Sequence, residues 1–394
     1  MPRRKRTWLV IASLLILSLV AAACGDDDGD NGGADGGDGG GNGGEGSIWV
    51  LLPDTASSDR WEKDDRRFFG EAFEAAGLSE GQDFNVVNAE GDASTQQSQA
   101  EQAIADGASV IVLTSIDTGS GATIIDQAQA DGVQVVEYDR FNTGGSGGAA
   151  YVSFDNVQVG ATMAEILEPE IDALGVPNPQ VVMLNGGEED NNSKLFRQGY
   201  AETVEARADA GDWEIVADQF VPGWDNAQAQ TIMEQILVDA NNEVDAVFAA
   251  NDGLAQSTAN AVEAAGIGPI PISGQDATAQ GMQNILLGRQ TMSVYKPIEA
   301  EVSVAAAVAL ALRAGDDPSG VDVPFEFSVI GIEAATGNPS DSTEGEGIVP
   351  YYALTPVGVT EENMADTVIA DEFRTVEEIC TGDVGDTDWC QENG

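Results

Sequence analysis

The chain has 394 residues, with 68 Asp and Glu against 16 Lys and Arg and no His, a formal charge of −52. At roughly 100–200 residues per domain this length implies two or three domains with a sizeable core. The charge argues against nucleic acid and against an anionic lipid surface, since little basic surface is left to release phosphate counterions. The missing imidazole removes the Ser/His/Asp triad, the Cys/His dyad and the His-ligated zinc site.

In chain order, Arg3, Arg4, Lys5 and Arg6 precede an apolar run, Trp8 to Val20, that is short for a transmembrane span. With Ala21-Ala22-Ala23-Cys24 behind it, the segment 1–24 reads as an export signal. Small residues before a Cys resemble the lipobox of bacterial lipoproteins, in which Cys24 is diacylated and becomes the new N-terminus. The alternative is ordinary secretory cleavage after Ala23, leaving a free thiol. Removal of the signal takes away four basic and no acidic residues, leaving 12 against 68 and a formal −56. Residues 25–46 are almost entirely Gly, Asp and Asn, the composition of a flexible tether. Asp26, Asp28 and Asp30 imitate a calcium loop, but Asn31 stands where that loop needs Gly and Gly37 where it needs Glu.

From Ser47 to about Asp371, short β-rich runs alternate with amphipathic helical runs, the pattern of an α/β protein with largely parallel sheets. The first set predicts strands at Ile48–Leu52, Phe84–Asn88, Val110–Thr114, Val133–Tyr138 and Tyr151–Phe154. Helices are predicted at Asp59–Ala76, Thr95–Asp106 and Thr123–Asp131. A second set predicts strands at Val181–Asn185, Glu214–Phe220, Ala246–Ala250, Ile270–Ser273 and Thr291–Tyr295. The repetition implies two similar doubly wound lobes. Pro297–Arg313 reads as a helix, Gly331–Gly347 as a surface loop, Tyr351–Val359 as one late strand and Glu361–Asp371 as a final helix. Near the end, Cys380 and Cys390 read as a disulfide closing a small loop outside the cytoplasm. With no His and no further Cys nearby, no metal site is expected.

Ligands of open α/β sheets bind beyond the carboxyl ends of the strands. The residues found there are Asp54, Arg60 and Trp61, Asp139 and Arg140, Gly186 to Asn192 with Asp190 and Asn192 among them, Trp224, Asn251 and Asp252, Gln275 and Asp276, and Lys296. Carboxylates, amides and cations around two indoles suit a sugar. Hydroxyls both donate and accept, charged partners strengthen those bonds, and the C–H faces of a pyranose lie against aromatic rings. Each residue also has a plainer reading. Arg60 and Asp139 suit surface ion pairs, Trp61 and Trp224 suit packing anchors, and Asn251 and Asp276 suit helix caps. Catalysis is not expected. Asp139 and Asp276 stand among Arg and Lys, which lowers their pKa and makes poor general acids, and no nucleotide loop is present.

These residues carry a resemblance to the bacterial periplasmic sugar-binding proteins of the ribose/galactose type, and within them to the D-xylose-binding branch. The matching strings include Asp59-Arg-Trp-Glu-Lys-Asp, Tyr138-Asp-Arg, Asp190-Asn-Asn-Ser-Lys-Leu-Phe-Arg, Asp218-Gln-Phe-Val-Pro-Gly-Trp, Ile272-Ser-Gly-Gln-Asp-Ala and Gln290-Thr-Met-Ser-Val-Tyr-Lys-Pro-Ile. The likeness runs from about Ser47 to Phe373. It implies the type I periplasmic-binding-protein fold, two doubly wound parallel-sheet lobes joined by a three-strand hinge. It places the N-terminal lobe at 47–155 and 297–354, the C-terminal lobe at 156–296 and 355–379, and a tail at 380–394. It implies sugar contacts from Arg60, Asp139, Arg140, Asp190, Asn192, Asn251, Asp276 and Lys296, with Trp61 and Trp224 as stacking rings. It further implies a monomeric, extracytoplasmic, lipid-anchored receptor without a cofactor, delivering D-xylose to an ABC transporter permease. Glucose, arabinose or ribose as ligand, and a sensing role in chemotaxis or signalling, stay open. The Tyr295-Lys296-Pro297 string favours the xylose branch over a multiple-sugar branch that shares the Arg-Trp and Gly-Gln-Asp segments.

Overall fold

In the computed structural model the described residues are 46–334 and 347–394. The export signal with Cys24, the tether up to residue 45 and residues 335–346 of the expected surface loop lie outside them. Among the described residues no helix is long and apolar enough to cross a membrane.

Apolar runs of five or six residues become strands buried on nearly every position, as parallel strands covered on both faces require. The first run is β1 (Ser47–Leu52), a π-helical turn at Trp61–Asp65, α1 (Arg66–Ala75), β2 (Phe84–Asn88), α2 (Ala93–Ala105), β3 (Ala108–Leu113), α3 (Thr118–Ala130), β4 (Gln134–Tyr138) and β5 (Ala150–Phe154). The second is α4 (Asn156–Ala173), β6 (Gln180–Asn185), α5 (Asn191–Asp209), β7 (Glu214–Phe220), α6 (Asn226–Asp239), β8 (Val244–Ala249), α7 (Asp252–Ala264), α8 (Ala279–Leu286) and β9 (Ser293–Tyr295). The chain ends with α9 (Ile298–Ala314), β10 (Ser328–Glu333), β11 (Ile348–Leu354), β12 (Val357–Val359), α10 (Val376–Ile379) and α11 (Asp388–Asn393).

One sheet has the order β10-β11-β5-β4-β3-β1-β2 and is parallel except for β10, which runs antiparallel to β11. The other has the parallel order β7-β6-β8. The antiparallel pair β9–β12 joins it through the bridges Val247–Ile272 and Gln275–Val294. The chain passes between the two lobes three times, after β5, after β9 and after β11. The fold is therefore two doubly wound lobes joined by three crossovers.

Short polar side chains start the helices. Asp92, Asp117, Asp155, Asp190 and Asp225 accept backbone N–H groups at the starts of α2 to α6, and Asn251 and Thr278 do so for α7 and α8. In an acidic chain this places carboxylates where helix dipoles favour them.

Several expectations need correction, and proline explains two of them. Ile270–Ser273 forms only a single bridge, because Pro269 and Pro271 remove two ladder donors. The single strand expected at Tyr351–Val359 breaks at Thr355-Pro356 into β11 and β12, which pair in different lobes. Gly331–Glu333, expected in a loop, belongs to the edge strand β10, where Gly331 pairs with Pro350. The final helix expected at Glu361–Asp371 is a series of turns around a short π-helical turn, Ala365–Ile369. The tail is anchored on the core before its exposed last residues. Val384, Trp389 and Cys390 are buried in the same apolar cluster as Met364, Val368 and Phe373, and Cys380 is bonded to Cys390.

Candidate functional site

The strand ends of both lobes converge on one cavity. It is lined by Ser57, Ser58, Arg60 and Trp61 after β1, by Asp139 and Arg140 after β4, and by Asp190, Asn192 and Phe196 after β6. Trp224, Asn251, Gln275, Asp276 and Lys296 complete it from the second lobe. All ten residues expected to contact a sugar are present, and none is more than 8 % exposed. The lobes are shut over the cavity. Arg140 Nε lies 3.0 Å from Asp190 Oδ2, the Asn192 amide donates to Asp139 Oδ1 at 3.0 Å, and the Asn251 amide donates to Ser57 O at 3.3 Å.

Local geometry aims these groups. Asp139, Trp224 and Asp276 have φ of 60°, 55° and 98°, in the left-handed region that L-residues enter at a cost. A Cβ on Gly186, just after β6, would collide with the Trp224 ring, so a glycine there lets the indole sit against the strand end. Trp224 Nε1 donates to Asp190 Oδ2 at 3.2 Å, and Trp61 Nε1 donates to Ser57 Oγ at 3.3 Å. The Arg60 and Arg140 guanidinium groups lie 4.1 and 5.6 Å from the Trp61 ring centroid.

The plainer readings and the site readings meet in single side chains. Asp190 caps α5 with Oδ1, on the Asn192 N–H, and turns Oδ2 to Arg140 and Trp224. Asn251 caps α7 with its oxygen, on the Leu254 N–H, and turns its amide across the cleft. Asp276 caps nothing, because Thr278 starts α8. Arg60 and Asp139 do form ion pairs, but buried ones.

Behind the lining stands a layer that the sequence reading did not pick out. Asp65 takes Arg60 Nε and Nη2 at 3.1 and 3.0 Å and the Tyr138 hydroxyl at 2.6 Å. Glu301 Oε2 lies 3.4 Å from Arg60 Nη2. Lys296 Nζ donates to Asp139 Oδ2 at 2.8 Å, and Arg60 Nη2 reaches the same oxygen at 3.2 Å. Burial alone would raise the Asp139 carboxyl, but Lys296, Arg60 and Arg140 hold it well below the usual carboxylate range. Burial, followed by repulsion from Asp139, drives the Glu301 carboxyl far above its usual range. Arg60, Arg140 and Lys296 thus stand among the acidic groups Asp65, Asp139, Asp190 and Glu301. Asp276 has no cation partner among the described residues and takes the Gln275 amide instead.

The overlooked lining residues had a signal. Ser57 and Ser58 follow β1 as Arg60 does, and Phe196 lies within the string that starts at Asp190. Lys194, in that same string, faces solvent. Tyr138 opens one of the matching strings, whereas Asp65 and Glu301 had no signal, since their role rests on contacts across up to 241 positions of sequence.

Comparison with known proteins follows the same outline. Residues 49–317 match the family model described as periplasmic binding protein domain. The chain is 35 % identical over 324 residues to the D-xylose-binding periplasmic protein of Escherichia coli K12, covering 82 % of this chain and 89 % of that one. It is 27 % identical to the multiple sugar-binding periplasmic protein SbpA of Azospirillum brasilense, over 84 % of this chain and 90 % of that one. Among solved structures it is similar to an ABC transporter solute-binding protein from Clostridium phytofermentans with bound β-D-glucose. The TM-score is 0.72 and the identity 25 %, covering 84 % of this chain and 99 % of the other.

Proposed function

This chain belongs to the periplasmic binding proteins, and from that premise we propose that it captures D-xylose between its lobes and hands it to an ABC transporter permease. The coarser statement is secure: it is an extracytoplasmic sugar-binding transport receptor rather than an enzyme. The observation that carries the ligand class is a shut, polar cavity flanked by two indoles, in which each of the three cations is already paired to a carboxylate. Such a cavity leaves no free cation for an anionic ligand, while Asp276, without a cation partner among the described residues, is left to accept from a hydroxyl. Its many donors and acceptors call for a ligand with many hydroxyls.

In this reading Arg60, Arg140 and Lys296 donate to sugar oxygens, and Asp139, Asp190 and Asp276 accept from hydroxyls. Asn192 and Asn251 do both, and Trp61 and Trp224 offer apolar faces. Because contacts come from both lobes, sugar binding favours the closed arrangement over the open one. The closed form docks on the permease. Lipid on Cys24 and the tether 25–46 hold the receptor near the membrane, two acyl chains giving a stable anchor where one is marginal.

D-xylose is chosen because a relative at 35 % identity is named for it and because Lys296 belongs to the string that favours the xylose branch. A hexose is the second reading, supported by the glucose-bound structural neighbour. The test is a tryptophan fluorescence titration of residues 47–394 with D-xylose beside glucose, arabinose and ribose. Saturable quenching or enhancement by micromolar xylose, weaker for the others, is expected. Trp224→Ala should weaken binding by about 1–3 kcal/mol through loss of one apolar face. Tighter glucose binding overturns the choice of sugar, and unchanged affinity in the variant overturns the stacking role.

A further inference from the structure

Of the 12 basic residues beyond the export signal, Arg60, Arg140, Lys296 and Arg374 are less than 9 % exposed. Three of them line the cavity. The fourth, the only Lys or Arg after Arg313, does not. In so acidic a chain a lone cation has many surface carboxylates to choose from, yet this one is buried between the lobes. Its Nη1 lies 3.2 Å from Asp64 Oδ2, on the turn that also presents Trp61 to the cavity. Its Nε donates to Ala277 O at 3.1 Å, directly after Asp276. Asp64 belongs to the first lobe and Ala277 to the second. Ala277 itself has a φ of 45°, so the carbonyl that Arg374 grips belongs to the same strained bend as Asp276.

The arginine is held in turn by its own segment. Its guanidinium lies 3.8 Å from the Phe373 ring centroid, and Phe373 packs against Tyr295, next to Lys296. Just beyond it, the Gln283 amide of α8 donates to Ile379 O and Thr381 Oγ1, which docks the tail on the second lobe.

We propose that Arg374 is a closure clasp, a positioning residue that joins the sugar-facing turn 60–65 of one lobe to the sugar-facing bend 275–277 of the other and so sets the balance between open and closed forms. The bridge needs both segments in their closed positions, so part of the apparent sugar affinity comes from a contact outside the cavity. A residue that biases closure alters affinity for every ligand that needs the closed form by one common factor. This inference rests on the sugar-receptor reading.

The experiment measures Kd and dissociation rate for D-xylose and glucose in wild type, Arg374→Ala, Arg374→Lys, Asp64→Asn and the Asp64→Asn/Arg374→Ala double variant. Each is first checked for a cooperative thermal transition. Arg374→Ala is expected to raise both Kd values by about tenfold, mainly through faster dissociation, because it removes the link from Asp64 to Ala277 and leaves the buried Asp64 only the more distant Arg67, at 3.8 Å. The ratio of the two Kd values stays as in wild type, since no sugar contact is lost. Arg374→Lys recovers part of the loss, Asp64→Asn reproduces it if Arg374→Ala does not fold, and the double variant is no weaker than the weaker single one. Wild-type affinity in folded Arg374→Ala and Asp64→Asn, or a changed xylose-to-glucose ratio, overturns the clasp. Wild type that binds neither sugar overturns the receptor reading and the clasp with it.

Discussion

Asp139 shows how much a single residue carries here. Its backbone is left-handed, its carboxylate receives Lys296 and Arg60, and its carbonyl takes the Tyr151 and Ser153 hydroxyls. Strain of about 1–3 kcal/mol at such a position persists only where surrounding contacts over-determine it. The loop beyond it is held by another acid, Glu137, which accepts the Asn142 N–H at 2.6 Å and the Gly148 N–H at 2.8 Å. Burial lifts Glu137 from 4.5 to about 7. The folded chain thus holds that proton more tightly than the unfolded one. Its contribution is fully present below about pH 4.5 and is lost as pH rises to about 7, at a cost of about 3 kcal/mol. Asp252, lifted to about 6 by burial, adds a smaller loss with the same sign. Urea unfolding at pH 5, 6, 7 and 8 should show stability falling toward neutral pH, with a shallower slope in Glu137→Gln whatever its absolute stability. An unchanged slope would remove Glu137 as the source. Residues at strand ends were legible in the sequence because topology alone places them near a ligand. Glu301 was not, because an acid in the first turn of an Ala-rich helix looks like a dipole partner until the fold sets it against Arg60.

Among the elements, the long periodic ones were readable and the irregular ones were not. Most strands from β1 to β8 follow apolar runs that the fold buries, whereas the edge strand β7 has no buried residue. The misreadings cluster where two backbone rules compete. Ile270–Ser273 has strand-forming side chains on a backbone that proline deprives of donors, and β10 has a glycine inside a strand. The last stretch was read as one helix with a tail after it. Its fold is instead set by burial of isolated apolar residues and by the Cys380–Cys390 bond between residues ten positions apart. Closing so small a loop removes chain entropy worth about 2–3 kcal/mol from the unfolded state. Reduction under native conditions, or Cys380→Ser with Cys390→Ser, should lower the unfolding free energy by that amount in denaturant titration. A loss below a few tenths of a kcal/mol would mean that the apolar contacts of Val384 and Trp389 hold the tail unaided.

Taken whole, the molecule is strongly acidic, and its few cations are partly withdrawn from the surface. Residues 25–394 have 12 basic side chains against 68 acidic ones, and four of the 12 are buried. Few are left to neutralise the surface, so like-charge repulsion opposes compaction. Salt shortens the reach of that repulsion from about 10 Å at 0.1 M to about 3 Å at 1 M. The melting temperature should therefore climb between 0.1 and 2 M KCl, whereas sugar affinity, set by contacts screened from solvent, should move far less. A flat melting curve would show that the surface carboxylates are spaced widely enough not to matter. The two-lobe plan was foreseeable from the repeated pattern, but the closed apposition of the lobes was not, because it depends on contacts such as Arg140–Asp190 that no local pattern encodes.

The double duty of Asp190 and Asn251 limits how this receptor can change its taste. Each holds a helix start with one atom and faces the cleft with another. A mutation that retunes the ligand at either position also loosens the helix that carries it. Asp276, which caps nothing, carries no such burden. Under the proposed sugar contacts, drift toward a new sugar meets a helix-start constraint at Asp190 and Asn251, and at Asp276 only the left-handed backbone.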